Sequence, residues 1–222
     1  MLLLASTAEP VTIDHIAPGE LATRRSLVAA GERLFGEHGL EGAALHKIAF
    51  AAGQANKYAV QYHFGGQQGL VDTIFAWRQR AMDMRRAALL DQAVVLGKSN
   101  DITALLEALY LPTAEQVDGR GRHSYARFAL QYLSRPNYDH YSDPRTQPHT
   151  GPTGKIYGHL ASVLALDYAE LTARLHLTNY MMYAALLERD GRAREDVAPV
   201  SIDNTVARMT PFVAAVMASR RS

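Results

Sequence analysis

The chain has 222 residues, no cysteine, and 23 basic against 22 acidic residues, so its net charge is +1 with neutral histidines. The lack of cysteine excludes disulfides and thiolate metal sites. No apolar run approaches the roughly 18 residues that a membrane span requires, and the apolar start at residues 1–5 is too short for a signal-peptide core. We therefore expect a cytoplasmic protein with no membrane partner.

The charge is unevenly distributed along the chain. From Glu20 to Leu90 there are nine basic and six acidic residues, whereas from Asp91 onward there are fourteen of each. A mildly basic end on a neutral remainder suits a nucleic-acid-binding end. Solvated helix faces often carry the same bias, so the charge alone leaves both interpretations open.

The first residues are expected to form an arm and then a helix. Residues 1–20 are interpreted as a flexible arm because prolines and a glycine interrupt any regular pattern there. From about Ala22 to His38 the apolar residues recur at helical spacing, and Gly39 supplies a stop.

Two further short helices follow at close spacing. One starts near Ala44 and ends at Gly53, and the other runs from about Asn56 to Phe64 with Val60 on its buried side. Two such helices joined by a glycine-bearing turn form a helix-turn-helix. The polar and aromatic outer face of the second one is suited to reading the DNA major groove.

Three sequence stretches carry a resemblance to a known family. They are LVAAGERLFGEHG at 27–39, KIAFAAG at 47–53 and AVQYHFGGQQGL at 59–70. They resemble the N-terminal domain of the TetR family of transcriptional regulators, whose pattern is LF-x-x-x-G, then IA-x-x-AG, then a recognition helix ending aromatic-aromatic-His-Phe. The ending is similar to that of a branch with AVQYHFG, in which glutamine replaces the more usual tyrosine.

The resemblance implies an all-α fold of about nine helices, a number that agrees with the apolar periodicity along the chain. It implies a helix-turn-helix DNA-binding domain at 21–66 and a helical ligand-binding and dimerisation domain at 67–222. The implied function is a repressor that binds a near-palindromic double-stranded operator as a homodimer. A small-molecule inducer releases it, and the last two long helices form the dimer interface.

We predict DNA contacts through a set of donors and aromatic side chains around the helix-turn-helix: Arg24, Arg25, His46, Lys47, Asn56, Lys57, Tyr58, Gln61, Tyr62, His63 and Gln67. Lys57 suits a guanine edge or a phosphate, the two amides suit adenine, and Tyr58 suits a thymine methyl. The others suit phosphates, Gln67 standing where the family commonly has a lysine. The alternative is ordinary surface exposure for the charged groups and local packing for the aromatic ones.

The chain beyond the helix-turn-helix is predicted to be helical throughout. A helix from about Gln67 to Leu90 would face inward through Leu70, Ile74, Trp77, Ala81 and Met84, with Arg78 and Arg80 solvated. Pro112 and Pro211 should kink or break their helices. The irregular stretch 135–152 is either a lid over a pocket or a disordered connector.

A ligand pocket is predicted among helices that carry large apolar side chains: Trp77, Phe128, Tyr132, Met181 and Tyr183. Such a lining suits a hydrophobic or aromatic inducer, although the same residues also suit a plain core. No nucleophile, phosphate-binding or metal-binding motif is present, so we expect no enzyme activity, no cofactor and no metal. The alternative is a helical small-molecule-binding protein or enzyme without DNA-binding activity.

Overall fold

The computed structural model describes residues 18–135, 150–194 and 201–219, and these form nine α-helices without a strand. The expected all-α class is confirmed. The helices are α1 Pro18–Gly42, α2 Leu45–Ala51, α3 Ala59–Phe64, α4 Gln67–Val95, α5 Ile102–Ala114, α6 Ser124–Leu133, α7 Gly151–Leu164, α8 Tyr168–Arg194 and α9 Ile202–Ala218. Residues 1–17 of the predicted arm and most of the predicted loop, 136–149, lie outside the described residues.

Helix α1 begins earlier than the sequence pattern predicts. It starts at Pro18 rather than near Ala22, because proline has no amide hydrogen to lose at the first position of a helix. The predicted stop at Gly39 is present, since this residue adopts φ 73° and ψ 168° and interrupts the helix. The residues after it form a short helical continuation that leads into α2.

The core of the N-terminal unit joins α1 to α4. Leu27, Phe35, Ile48, Val60 and Leu70 are all fully buried. Helix α2 begins after Ala44, as predicted, and is followed by a left-handed turn at a glycine with φ 75°. This arrangement is a helix-turn-helix formed by α2 and α3 and held between α1 and α4.

Helix α3 is shorter than predicted. The Asn56 side-chain Oδ1 accepts a hydrogen bond from the Tyr58 amide at 2.9 Å, and the Asn56 carbonyl accepts one from the Ala59 amide at 3.1 Å. These bonds form a turn, and regular helix starts only at Ala59. An asparagine that bonds to its own backbone competes with helix, so Asn56 and Lys57 lie before the helix.

Helix α4 has 29 residues, which corresponds to about 43 Å. Its inner face differs from the prediction after Ile74. Met84 is 72 % exposed and Ala81 is exposed, whereas Met82 and Arg86 are buried. The inner stripe therefore runs in steps of four residues and includes Arg78 and Arg86, so the expectation that Arg78 is solvated is wrong.

The two inward arginines of α4 bind acceptors from distant segments. Arg78 Nε and Nη2 each donate to the Glu32 carboxylate of α1 at 2.7 Å. Desolvation works against the charged guanidinium, but the hydrogen bond to Glu32 and the charges of Glu32 and its surroundings together outweigh it and raise the pKa of Arg78. Arg86 donates to the Leu109 carbonyl and to the hydroxyls of Thr113 and Thr153.

Glu32 connects three helices through one buried carboxylate. Its side chain is 3 % exposed and also accepts a hydrogen bond from the Ser124 hydroxyl at 2.5 Å. Arg78 in turn donates to the Gln116 side chain at 3.0 Å. The Glu32 carboxylate thus fixes α1, α4 and α6 relative to one another.

The two internal prolines do not end their helices. Pro112 lies inside α5 and is buried, and Pro211 lies inside α9 on its exposed side. Both helices continue past the proline, so the break predicted as one possibility at Pro211 is absent. The Gln116 side-chain nitrogen donates to the Pro112 carbonyl at 3.1 Å, which satisfies one of the last carbonyls of α5.

The close approach of α3 to α4 depends on a glycine. A Cβ built on Gly69 would lie 1.8 Å from the Phe64 carbonyl oxygen. We expect Gly69→Ala to lower the free energy of unfolding by about 2–3 kcal/mol, as overpacking against a backbone atom does. Urea denaturation followed by circular dichroism measures this.

Gly158→Ala is the matched control for this prediction. Gly158 is also helical, but no atom lies within 4 Å of its virtual Cβ. The control should leave stability unchanged or raise it by up to about 1 kcal/mol. Equal unfolding midpoints for the two variants would contradict the tight contact between α3 and α4.

Candidate nucleic-acid interface

The outer side of the helix-turn-helix carries a group of solvent-exposed polar and aromatic side chains. We call Asn56, Lys57, Tyr58, Gln61 and Tyr62 the reading surface. Tyr58 is 64 % exposed and Tyr62 is 79 % exposed, although both are large side chains. The buried residues of the same helix point into the core, so the reading surface faces away from the protein.

Two side chains of the reading surface are oriented by local contacts. The Lys57 ammonium lies 5.0 Å from the centroid of the Tyr58 ring, which places the cation on an aromatic face. The Gln61 amide nitrogen donates to the Gly65 carbonyl at 3.2 Å. Gln61 must therefore release this bond or use its remaining groups to contact a base edge.

Two predicted contact residues hold α3 to α1 instead of facing outward. Arg24 donates from Nη1 to the backbone carbonyl of His63 and lies 4.6 Å from the centroid of the Phe64 ring. The His63 side chain is 12 % exposed, and its Nδ1 lies 3.9 Å from a Glu20 carboxylate oxygen. These contacts position α3, and they turn both side chains away from solvent.

Gln67 is a third predicted phosphate contact that binds a backbone group. Its side-chain nitrogen donates to the Leu40 carbonyl at 3.2 Å. The bond joins the start of α4 to the last turn of α1, just after Gly39. A neutral amide is well suited to this role because it satisfies a carbonyl without placing a charge in a half-buried site.

Helix α2 adds an exposed face beside the reading surface. His46 and Lys47 are both exposed, as is Arg25 on α1. Phe50 is also exposed, and its ring meets the His46 ring edge to face at 6.2 Å. The sequence interpretation missed Phe50, although its position four residues after His46 places both on one side of the helix.

The predicted pocket residues are divided between an aromatic cluster and its surroundings. Phe128 and Tyr132 both contact Phe75, with ring centroids 5.0 and 4.9 Å apart. Tyr125 also contacts Phe75, at 6.2 Å. Phe75 and Tyr125 were not among the predicted pocket residues. Phe75 was missed because it flanks the inner stripe of α4 rather than lying on it.

Tyr183 reaches this cluster through Tyr125. Burial raises the pKa of the Tyr183 phenol to about 12, while a hydrogen bond with Tyr125 acts in the opposite direction. Trp77 and Met181 are only partly buried, and within the described residues no ring contact joins Trp77 to the cluster. Ring contacts therefore join only part of the predicted set, although Trp77 also packs against the apolar core that contains Phe128 and Tyr132.

Metal and membrane chemistry receive no support from the residues described. Within them, no group of three or more histidine or carboxylate side chains is arranged to hold a metal ion. None of the described helices is both long and apolar enough to cross a membrane.

Comparison with known proteins gives matches among solved structures, and the one described here is distant. No protein-family model and no curated protein matches the chain. Among solved structures, the chain is similar to a TetR-family regulator from Streptomyces coelicolor A3, with 18 % identity over 91 % of this chain and 98 % of that one. The TM-score is 0.37, so the two backbones differ too much for the match to bear on function.

The inward position of Arg24 leads to a prediction about stability. We expect Arg24→Ala to lower the free energy of unfolding by about 1–3 kcal/mol, because the half-buried His63 carbonyl loses a charged donor. Arg25→Ala removes the same charge from an exposed neighbour and should change stability by no more than about 0.5 kcal/mol. Urea denaturation without DNA measures both, and equal values would mean that the Arg24 guanidinium is free.

Proposed function

We propose that the protein is a sequence-specific DNA-binding transcriptional regulator of the TetR type, from the branch whose recognition helix ends AVQYHFG. The observation that supports this most is the reading surface. Large aromatic and polar side chains are exposed to solvent on a short helix and on the turn before it, while Ala59 and Val60 on the other side of the helix are buried. Exposure of that kind is costly for stability alone and is typical of a binding surface.

The proposed contacts follow from the chemistry of each exposed group. Lys57 is suited to a guanine edge, and the amides of Asn56 and Gln61 are suited to adenine. Tyr58 is suited to a thymine methyl group. The phosphate contacts are assigned to four other exposed side chains: Arg25, His46, Lys47 and Tyr62.

Arg24, His63 and Gln67 are assigned a positioning role in this proposal. Their contacts to backbone and ring atoms set the angle of α3 against α1 and α4. A recognition helix of six residues has little stability of its own. Its direction in a groove therefore depends on these contacts.

We further propose that the regulator responds to a small hydrophobic or aromatic ligand in the helices after α3. The rings of Phe75, Phe128 and Tyr132 form the apolar region that supports this. Ligand binding there would favour a conformation in which α4 and α6 carry the reading surface to a different position. DNA affinity would then fall by the differential affinity of the ligand for the two conformations, which describes a repressor released by its inducer.

A homodimer through α8 and α9 is part of the same proposal. Leu177 on α8 is 57 % exposed and Phe212 on α9 is 64 % exposed. Arg174 near the start of α8 donates to the Met217 carbonyl near the end of α9, so the two helices run antiparallel. Leu177 and Phe212 lie about 4.5 and 7.5 Å along their helices from that contact, which puts them at a similar level.

The first test uses the full chain and random-sequence DNA. Enrichment of duplexes bound by the protein should yield a near-palindromic operator, with affinity that falls steeply as salt rises. The double variant Lys57→Ala/Gln61→Ala should then weaken operator binding by about 100-fold or more, because two base contacts per protomer are lost. Fluorescence anisotropy measures the dissociation constants.

The control is the double variant Gln92→Ala/Lys98→Ala. It removes the same two residue types from exposed positions at the far end of α4. Operator affinity should be unchanged. If the enrichment yields no sequence, or if both double variants bind alike, the reading surface does not bind DNA and a helical small-molecule-binding protein becomes the better explanation.

A second test addresses the dimer. Leu177→Glu/Phe212→Glu should convert a dimer to a monomer, because it places charges in the proposed apolar interface. Analytical ultracentrifugation would show the mass fall by half. Val95→Glu alters an even more exposed apolar residue on α4 and should leave the dimer intact. A wild-type protein that sediments as a monomer would refute this part of the proposal.

A further inference from the structure

A polar cleft lies where the N-terminal unit meets the rest of the chain. It has a volume of about 290 Å³ and lies between α1, the turn before α6, α6 itself and the end of α8. Three arginines line it, Arg33 from α1, Arg122 from the turn, and Arg127 from α6. The aromatic cluster described above does not contribute to this cleft.

Two of the three arginines have carboxylate partners in the cleft. Arg33 lies 3.5 Å from Glu37, and Arg122 lies 3.1 Å from Asp118. Burial acts to raise the pKa of Asp118, but hydrogen bonds from the backbone of Arg122 and its neighbours and from the Arg122 side chain hold it below its ordinary value. Asp118 therefore stays charged and neutralises Arg122.

Asp190, the third carboxylate in the cleft, already has hydrogen-bond partners. Asp190 accepts from the His123 backbone amide at 2.8 Å and lies 2.7 Å from the His123 ring nitrogen Nδ1. Arg189 also lies 3.8 Å from it. Burial acts to raise the pKa of Asp190, yet the His123 bonds outweigh it and lower the pKa. His123 and Arg189 thus stabilise the Asp190 carboxylate without a contribution from Arg127.

Arg127 is left as a cation without a counter-charge. Among the residues described, no acceptor lies within hydrogen-bonding distance of its guanidinium. Its stem crosses α1 at Gly36, where a virtual Cβ would lie 3.1 Å from Arg127 Cγ. The stem is held by this contact, so less side-chain entropy is lost when the guanidinium binds a partner.

We infer that this cleft binds a small oxyanion that carries at least two negative charges, in the form of carboxylate or phosphate groups. A guanidinium binds either group through two parallel hydrogen bonds. The volume is close to the lower end for ligand pockets, about 300 Å³, which suits a di- or tricarboxylate or a small phosphate and excludes a large effector.

A bound anion would bridge α1 and α6. The pair of Arg33 with Glu37 is exposed and therefore weak, so Arg33 can turn to the anion. The anion would then draw Arg33 and Arg127 together across the junction and so favour the arrangement of the two parts described here. The binding site itself does not depend on DNA binding. Only its effect on operator affinity, an increase when the anion is present, rests on the proposed function.

Calorimetry and thermal unfolding of the DNA-free protein test the site. Citrate and pyrophosphate are titrated separately, with chloride adjusted to keep the ionic strength constant. At a hundredfold excess over the dissociation constant, the unfolding temperature should rise by about 5 °C. Binding of one probe alone identifies carboxylate or phosphate as the ligand group, and binding of both supports the shared chemistry.

Arg127→Met is the main variant because it keeps the stem against Gly36 and removes the charge. It should weaken the saturable binding by about tenfold or more, as the loss of a charged hydrogen-bond pair does. Arg120→Met removes one charge from an exposed residue outside the cleft and should not change the affinity.

Arg33→Met supplies a second variant on the opposite wall and decides the result if Arg127→Met does not fold. No saturable heat with either probe overturns the inference. An equal effect of all three substitutions also overturns it, because the response would then be one to general ionic conditions. Operator measurements are not needed, so failure here is separate from failure of the proposed function.

Discussion

The buried carboxylate of Glu32 holds the N-terminal unit to the rest of the protein. The Glu32 side chain is only 3 % exposed, so hydrogen-bond donors of the protein must take the place of water around its carboxylate. Arg78 and Ser124 supply these donors from two other helices. Removing one partner of such a buried pair costs on the order of 3–5 kcal/mol. The N-terminal unit therefore cannot swing freely. Any change in its direction must either move α4 and α6 with it or break this pair.

The same rule explains the other charged groups of the interior. Arg86 is buried against the Leu109 carbonyl and two threonine hydroxyls, and His123 is buried between Asp190 and the Ala114 carbonyl. Both side chains have acceptors supplied from other segments of the chain. The interior of the helical body is thus held in register by directional bonds as well as by apolar contact.

The sequence predicted the features that local chemistry determines. The helix count, the start of α2 and the stop at Gly39 follow from periodicity and from glycine. The prediction of the inner stripe of α4 was wrong after Ile74 because periodicity treats Arg78 and Arg86 as solvent-facing. Their acceptors lie 46 and 23 residues away in the sequence, so a local pattern does not reveal them. Arg24 was misplaced for the same reason, since the His63 carbonyl is 39 residues distant. The base and ligand contacts remain predictions.

The inward arginines of α4 also limit how this helix moves. Arg78 and Arg86 lie on one face, two turns apart, and each is bonded to a different neighbour. Turning α4 about its own long axis would pull both cations from their acceptors together, whereas tilting it about the Glu32 contact disturbs mainly the distant one. These contacts therefore resist rotation of α4 about its axis more than they resist a pivot about Glu32.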